Sequence, residues 1–176
     1  IATVAAWQHV GFIHGVMNTD NTTLSGQTID YGPCAFMESY DPDTWFSSID
    51  AQGRYRFRNQ PEILGWNFAR LAESMLPLFD ASTDAAIAYA QETINGFYKR
   101  FEDQRKRDFQ QRFGFEEGGE YFAALAQSGA DFTLANQGLA KALHGEPDAL
   151  DHLLRDCTDA PDTSFLKDYR KRVSGA

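Results

Sequence analysis

Asp20, Asn21 and Asp30 place three oxygen-bearing side chains close together in a loop-rich stretch of the chain. They lie in two polar strings, His14-Gly-Val-Met-Asn-Thr-Asp20-Asn21 and Thr28-Ile29-Asp30-Tyr31-Gly32-Pro33. Brought together from two loops, their side chains offer hard oxygen ligands to one point. Magnesium prefers such a set, with water and nucleotide phosphates completing its octahedron. Taken singly, each of these residues reads as a turn former, because short polar side chains bond the local backbone. Only their ordered combination behind His14 points to a site.

Residues 2–13 carry Val4, Trp7 and Val10 at helical spacing and predict a helix ended by Gly15. Thr22–Leu24 and Thr28–Ile29, separated by Ser25-Gly26-Gln27, suit a short hairpin. Residues 34–61 are rich in loop formers, with Arg54–Phe57 as a small extended piece. A helix is expected over 62–76, stopped near Pro77. A long one follows behind Ser82 or Thr83, with its apolar stripe reaching Phe109 before Gly114. Shorter helices are expected over 118–128, 132–144, 147–156 and from Pro161 to Val173. The fold class is mainly α, with a short β-hairpin at the loops that carry the site.

Composition narrows the function classes. The chain has 176 residues, 14% of them aromatic, enough for a packed core. Its net charge of −9, concentrated before residue 98, is poorly suited to a phosphate backbone, so nucleic acid is not an expected partner. Nor is a membrane, since no run approaches the roughly 18 apolar residues of a span. Cys34 and Cys157 form no paired motif, which fits a reducing compartment and argues against a structural zinc site. Arg54, Arg56 and Arg58, and the run from Lys99 to Arg112, are expected to pair with neighbouring carboxylates. Cys34 and Tyr31 are expected to pack, and His144 and His152 carry no metal claim.

The order of the site residues parallels a protein kinase, where a His-Arg-Asp loop ending in Asn precedes Asp-Phe-Gly. His14 takes the His place as a structural hydrogen-bonder, Asn21 the Asn place, and Asp30-Tyr31-Gly32 the Asp-Phe-Gly place. The kinase base falls on Val16, which cannot accept a proton. Either the site is dead or the base has moved to Asp20, and the presence of that carboxylate favours the second reading.

The strings HGVMNTDN and TIDYGP, with GRYRFRNQP and WNFARLA over residues 53–72, resemble the selenoprotein O (YdiU) family, most closely across 1–79. The resemblance implies a kinase-like fold that transfers AMP from ATP to Ser, Thr or Tyr hydroxyls of proteins. It implies Asp20 as base, Asn21 and Asp30 as ligands of Mg²⁺ or Mn²⁺, and Asp30 as a contact to the metal-bound nucleotide. In that family the nucleotide lies reversed relative to kinases, which puts the α-phosphorus at the transfer point. Residues 1–80 would then be the catalytic-loop and metal-binding part of the C-terminal lobe, and 81–176 its helical remainder. The family's nucleotide lobe, with its Lys and glycine-rich loop, and its terminal Cys or selenocysteine motif do not occur in these residues. Alone the chain is therefore expected to be an inactive fragment that binds nucleotide weakly and self-associates. Kinase-like transfer of the γ-phosphate and a silent helical interaction module are the rival functions. Bacterial cytoplasm is the expected compartment, or mitochondria for a eukaryotic source.

Overall fold

The computed structural model describes residues 1–115, 118–151 and 164–174. It is mainly helical with one small antiparallel sheet. In chain order the elements are α1 (Ala2–Val10), β1 (Phe12–Ile13), β2 (Ala35–Phe36), α2 (Gln60–Phe79), α3 (Thr83–Asn95), α4 (Phe97–Phe113), α5 (Gly119–Ser128), α6 (Phe132–Leu143) and α7 (Ser164–Val173). Three single 3-10 turns, Thr19–Asn21, Phe57–Asn59 and Pro147–Ala149, punctuate the loops.

The first helix stops earlier than its apolar spacing predicts. Gly11 adopts φ 70°, a left-handed conformation that a side chain disfavours, and its N–H returns to the Trp7 carbonyl. A Cβ there would also lie 2.7 Å from the Phe132 ring and 2.8 Å from Met37. The chain therefore leaves the helix at residue 11 and forms β1, with Phe12 opposite Phe36 and Ile13 opposite Ala35. These strands replace the hairpin expected over 22–29. There, Gly26 N–H closes a turn on the Thr23 carbonyl at 3.2 Å, and Thr23 Oγ1 donates to the Gln27 carbonyl at 2.7 Å. Side-chain bonds of this kind divert the backbone from a ladder.

Two helix boundaries also differ. α2 runs through Pro77 to Phe79, since a proline this near a helix end forfeits little beyond one hydrogen bond. The long helix expected before Gly114 divides at Gly96 (φ −79°, ψ −4°) into α3 and α4. The division turns Phe97 onto α2, where its ring lies 3.0 Å from where a Cβ of Gly65 would stand. The expected extension at Arg54–Phe57 is a turn leading into the 3-10 turn at Phe57. Ser82 and Asp131 cap α3 and α6 through their side chains, and Gly129 ends α5 in the left-handed region. The helix expected over 147–156 begins as the 3-10 turn, and its portion from 152 lies outside the described residues, as do Cys157, His152 and Pro161.

Two apolar clusters hold the elements. Val4, Met17, Ile63, Leu64, Phe97 and Phe101 form one, and Ile13, Met37, Phe109, Phe113, Phe132 and Leu139 belong to the other. α4 serves both, because Phe97 and Phe101 are a turn apart, as are Phe109 and Phe113. Residues before and after position 80 thus share both clusters. No helix among the described residues is long and apolar enough to cross a membrane.

His9 of α1 is buried edge-on against the Phe109 ring, 5.4 Å between centroids. Burial, and then the charge of Arg112, bring its pKa down from 6.5 to about 4. The folded chain thus refuses a proton that the unfolded chain accepts. Stability from this group is complete above about pH 6.5 and is lost as pH falls toward 4, by up to about 3 kcal/mol. Urea unfolding at pH 7.5 and 4.5 should show that loss in the native chain and a smaller one in His9→Leu. Equal losses in the two proteins would refute the assignment.

Candidate active site

The site is built from two loops held by buried amides. Gln60, the first residue of α2, is fully buried and acts in both directions. Its Oε1 accepts from His14 N–H at 3.0 Å, and its Nε2 donates to the Phe12 carbonyl at 2.9 Å. About two turns further, Asn67 donates from Nδ2 to the Met17 carbonyl at 3.0 Å and to Thr22 Oγ1 at 2.8 Å. α2 therefore pins both ends of the 14–22 loop.

His14 joins this loop to the second one. Its ring is buried and stacks on Trp7, with centroids 5.6 Å apart. The Nε2 lies 2.7 Å from the Ile29 carbonyl, which only accepts, so Nε2 carries the hydrogen. The Nδ1 accepts from Val16 N–H at 3.3 Å. His14 is thus a clamp, as its structural reading predicts, and it positions the residue just before Asp30. Gly15 allows the approach: at φ 82°, a Cβ would stand 2.8 Å from the Pro33 carbonyl oxygen.

These restraints bring Asn21 and Asp30 together. Asn21 Nδ2 donates to Asp30 Oδ2 at 2.8 Å and to the Val16 carbonyl at 3.1 Å. With its nitrogen so committed, the amide leaves Oδ1 for another partner, and Asp30 keeps Oδ1. Asp30 adopts φ 54°, the left-handed region, alone among the described non-glycine residues. Backbone strain of this kind, about 1–3 kcal/mol, persists where the surroundings enforce it and collects at functional sites. Asp20 is exposed on the 3-10 turn Thr19–Asn21, next to Asn21. Tyr55 steadies that turn by donating its hydroxyl hydrogen to Asn18 Oδ1.

The Asp30 carboxylate and the Asn21 amide in contact with it each keep an oxygen, hard donors of the kind Mg²⁺ or Mn²⁺ takes, with water and phosphate oxygens filling the remaining positions. No group of three or more His, Cys, Asp or Glu side chains suited to a metal occurs among the described residues. The spacing of the sequence locates this pair, but it gives no signal for Gln60 and Asn67, whose partners lie 45–50 residues away.

Several expectations around the site change. Tyr31 does not pack; it is 61% exposed, because the turn after Asp30 faces outward. Cys34 is only half-buried and donates to the Tyr31 carbonyl at 3.1 Å. Arg56 and Arg58 pair as expected, both on Asp43 at 2.7 and 2.9 Å, and Lys99 and Arg105 pair with Asp103 and Glu102. Arg54 instead lies over the Trp66 ring.

The family model described as protein adenylyltransferase SelO matches residues 1–144. The protein nucleotidyltransferase YdiU of Cereibacter sphaeroides is 46% identical over 180 residues, which cover 97% of this chain and 36% of that protein. That of Rhizobium etli is 43% identical over 181 residues, covering 98% and 36%. That of Corynebacterium efficiens is 53% identical over 126 residues, covering 72% and 26%. The chain spans about a third of the length of the first two relatives. It belongs to the protein adenylyltransferase SelO family.

Proposed function

We propose that this chain supplies the catalytic loop and metal ligands of a kinase-like lobe that transfers AMP from ATP to protein hydroxyls. Residues 1–80 carry the site and residues 81–176 its helical support. The observation that supports this reading is the Asn21–Asp30 contact at 2.8 Å, which leaves one oxygen of each group open beside an exposed Asp20. The names of the relatives, which are nucleotidyltransferases, agree with it.

Asn21 and Asp30 would hold Mg²⁺ or Mn²⁺, and that ion supplies charge neutralisation to the nucleotide phosphates. Asp20 accepts the proton of a Ser, Thr or Tyr hydroxyl as its oxygen bonds to the α-phosphorus. The bond from the α-phosphorus to its bridging oxygen breaks, and pyrophosphate leaves. His14 and Gln60 touch no reacting atom; they hold the two loops at a fixed separation. The rest of the phosphate grip belongs to the remaining length of the full protein, so the chain alone would bind ATP weakly. The compartment proposed is the bacterial cytoplasm, where ATP is available.

The test uses the full-length protein with Mg²⁺ and ATP labelled at either the α- or the γ-phosphate. Stable labelling of protein from the α-position only is the expected result. Labelling from γ only would make the enzyme a kinase with a relocated base. No label from either would favour a silent interaction module.

A further inference from the structure

Arg54 stands apart from the other basic residues near the site. Arg56 and Arg58 share Asp43, whereas Arg54 makes no ion pair among the described residues. Its guanidinium lies 4.8 Å from the centre of the Trp66 ring and 5.8 Å from that of Tyr55. Arg70, one turn along α2, lies 5.3 Å from the same indole. Its contact with Glu73 is an exposed i,i+3 pair at 2.6 Å, which contributes little and exchanges readily. Trp66 remains 42% exposed between these two cations. An exposed indole with two guanidiniums is the composition of an interface anchor, and here it occurs in a chain of net charge −9.

The patch is fixed rigidly to the candidate site. The buried Asp50 carboxylate accepts the backbone N–H groups of Arg54 at 2.8 Å and Tyr55 at 2.9 Å. The Tyr55 hydroxyl in turn donates to Asn18, the residue that opens the turn bearing Asp20. Contacts thus run from the turn bearing Asp20 through Asn18 and Tyr55 to Arg54 and Trp66, a route that residues flanking an acceptor hydroxyl at Asp20 can follow. We infer that the Arg54–Trp66–Arg70 face docks an acidic stretch of the protein substrate, next to the hydroxyl that is modified. Asp or Glu side chains suit it, since the carboxylate meets guanidinium and the methylene groups lie on the indole. Free phosphate would use the charge but not the ring. The inference rests on the proposed role of Asp20 in placing the acceptor.

Fluorescence anisotropy on the full-length protein separates the two ideas, because it reads binding without catalysis. The probes are labelled Ser-containing peptides, identical except for three flanking positions occupied by Glu, Gln or Lys. The Glu peptide should bind at least about tenfold tighter than the Gln peptide at low salt, and less so as salt rises. Arg54→Glu should remove that preference and improve binding of the Lys peptide, while Arg54→Lys should keep most of it. A gain for the opposite charge cannot come from misfolding. Equal binding of the Glu and Gln peptides, or an unchanged preference in Arg54→Glu, would overturn the docking site. Displacement by inorganic phosphate as effective as by the Glu peptide would overturn it too, in favour of a simple anion site. Charge-selective binding without AMP transfer would leave the docking site standing and remove the chemistry; transfer indifferent to the flanking charges would do the reverse.

Discussion

Asp20→Asn in the full-length protein is expected to lower AMP transfer by about 10²–10⁴-fold, the span of a general base. Asn keeps the size and polarity of the side chain but cannot take a proton at neutral pH. Asp20 makes no hydrogen bond among the described residues and is exposed, so the change disturbs no packing. The loss should therefore fall on the rate at saturating ATP, with little change in the ATP concentration that half-saturates. Steady-state transfer of an α-phosphate label reads both quantities. A variant within about threefold of the native rate would show that transfer proceeds without Asp20 as its base.

Gln60→Leu should be the most damaging single change to the scaffold. The amide is fully buried, and its loss strands His14 N–H and the Phe12 carbonyl in the core. Each orphaned group costs about 1–3 kcal/mol, so about 2–6 kcal/mol is expected against the roughly 5–15 that a domain ordinarily has. The loss also frees the end of β1 from α2, so the His14 clamp on Ile29 should loosen with it. Urea unfolding of the chain checks the magnitude, and a loss below about 1 kcal/mol would mean that the two backbone groups find other partners.

The parts of this molecule that were legible in the sequence are those whose cause is local. Asp131 and Gly129 mark the ends of α6 and α5 because a cap and a left-handed glycine act within one turn. The order His14, Asn21, Asp30 is legible because a loop of fixed length fixes which residues can meet. What was hidden has distant causes. Phe12 and Ile13 continue a helical stripe as well as they begin a strand, and Gly11 decides the matter through Phe132, more than a hundred residues away. Gly96 interrupts an otherwise continuous apolar stripe because Phe97 must face α2. Gln60 and Asn67 look like ordinary polar positions on a helix until the loop that they hold is in place. Tyr31 matches the packed aromatic of a kinase turn by position, yet it faces outward here.

In the proposed mechanism Asn21 and Asp30 form the metal site while Asp20 stands outside it. Titration of Mn²⁺ into the full-length protein with ATP, followed by electron paramagnetic resonance, tests it most directly, because free Mn²⁺ alone gives the strong signal. The native protein and Asp20→Asn should remove Mn²⁺ from solution equally, and Asp30→Ala should do so at least about tenfold more weakly, since it loses a charged ligand. Equal uptake by Asp30→Ala and the native protein would take Asp30 out of the metal site, and loss of uptake in Asp20→Asn would put Asp20 into it.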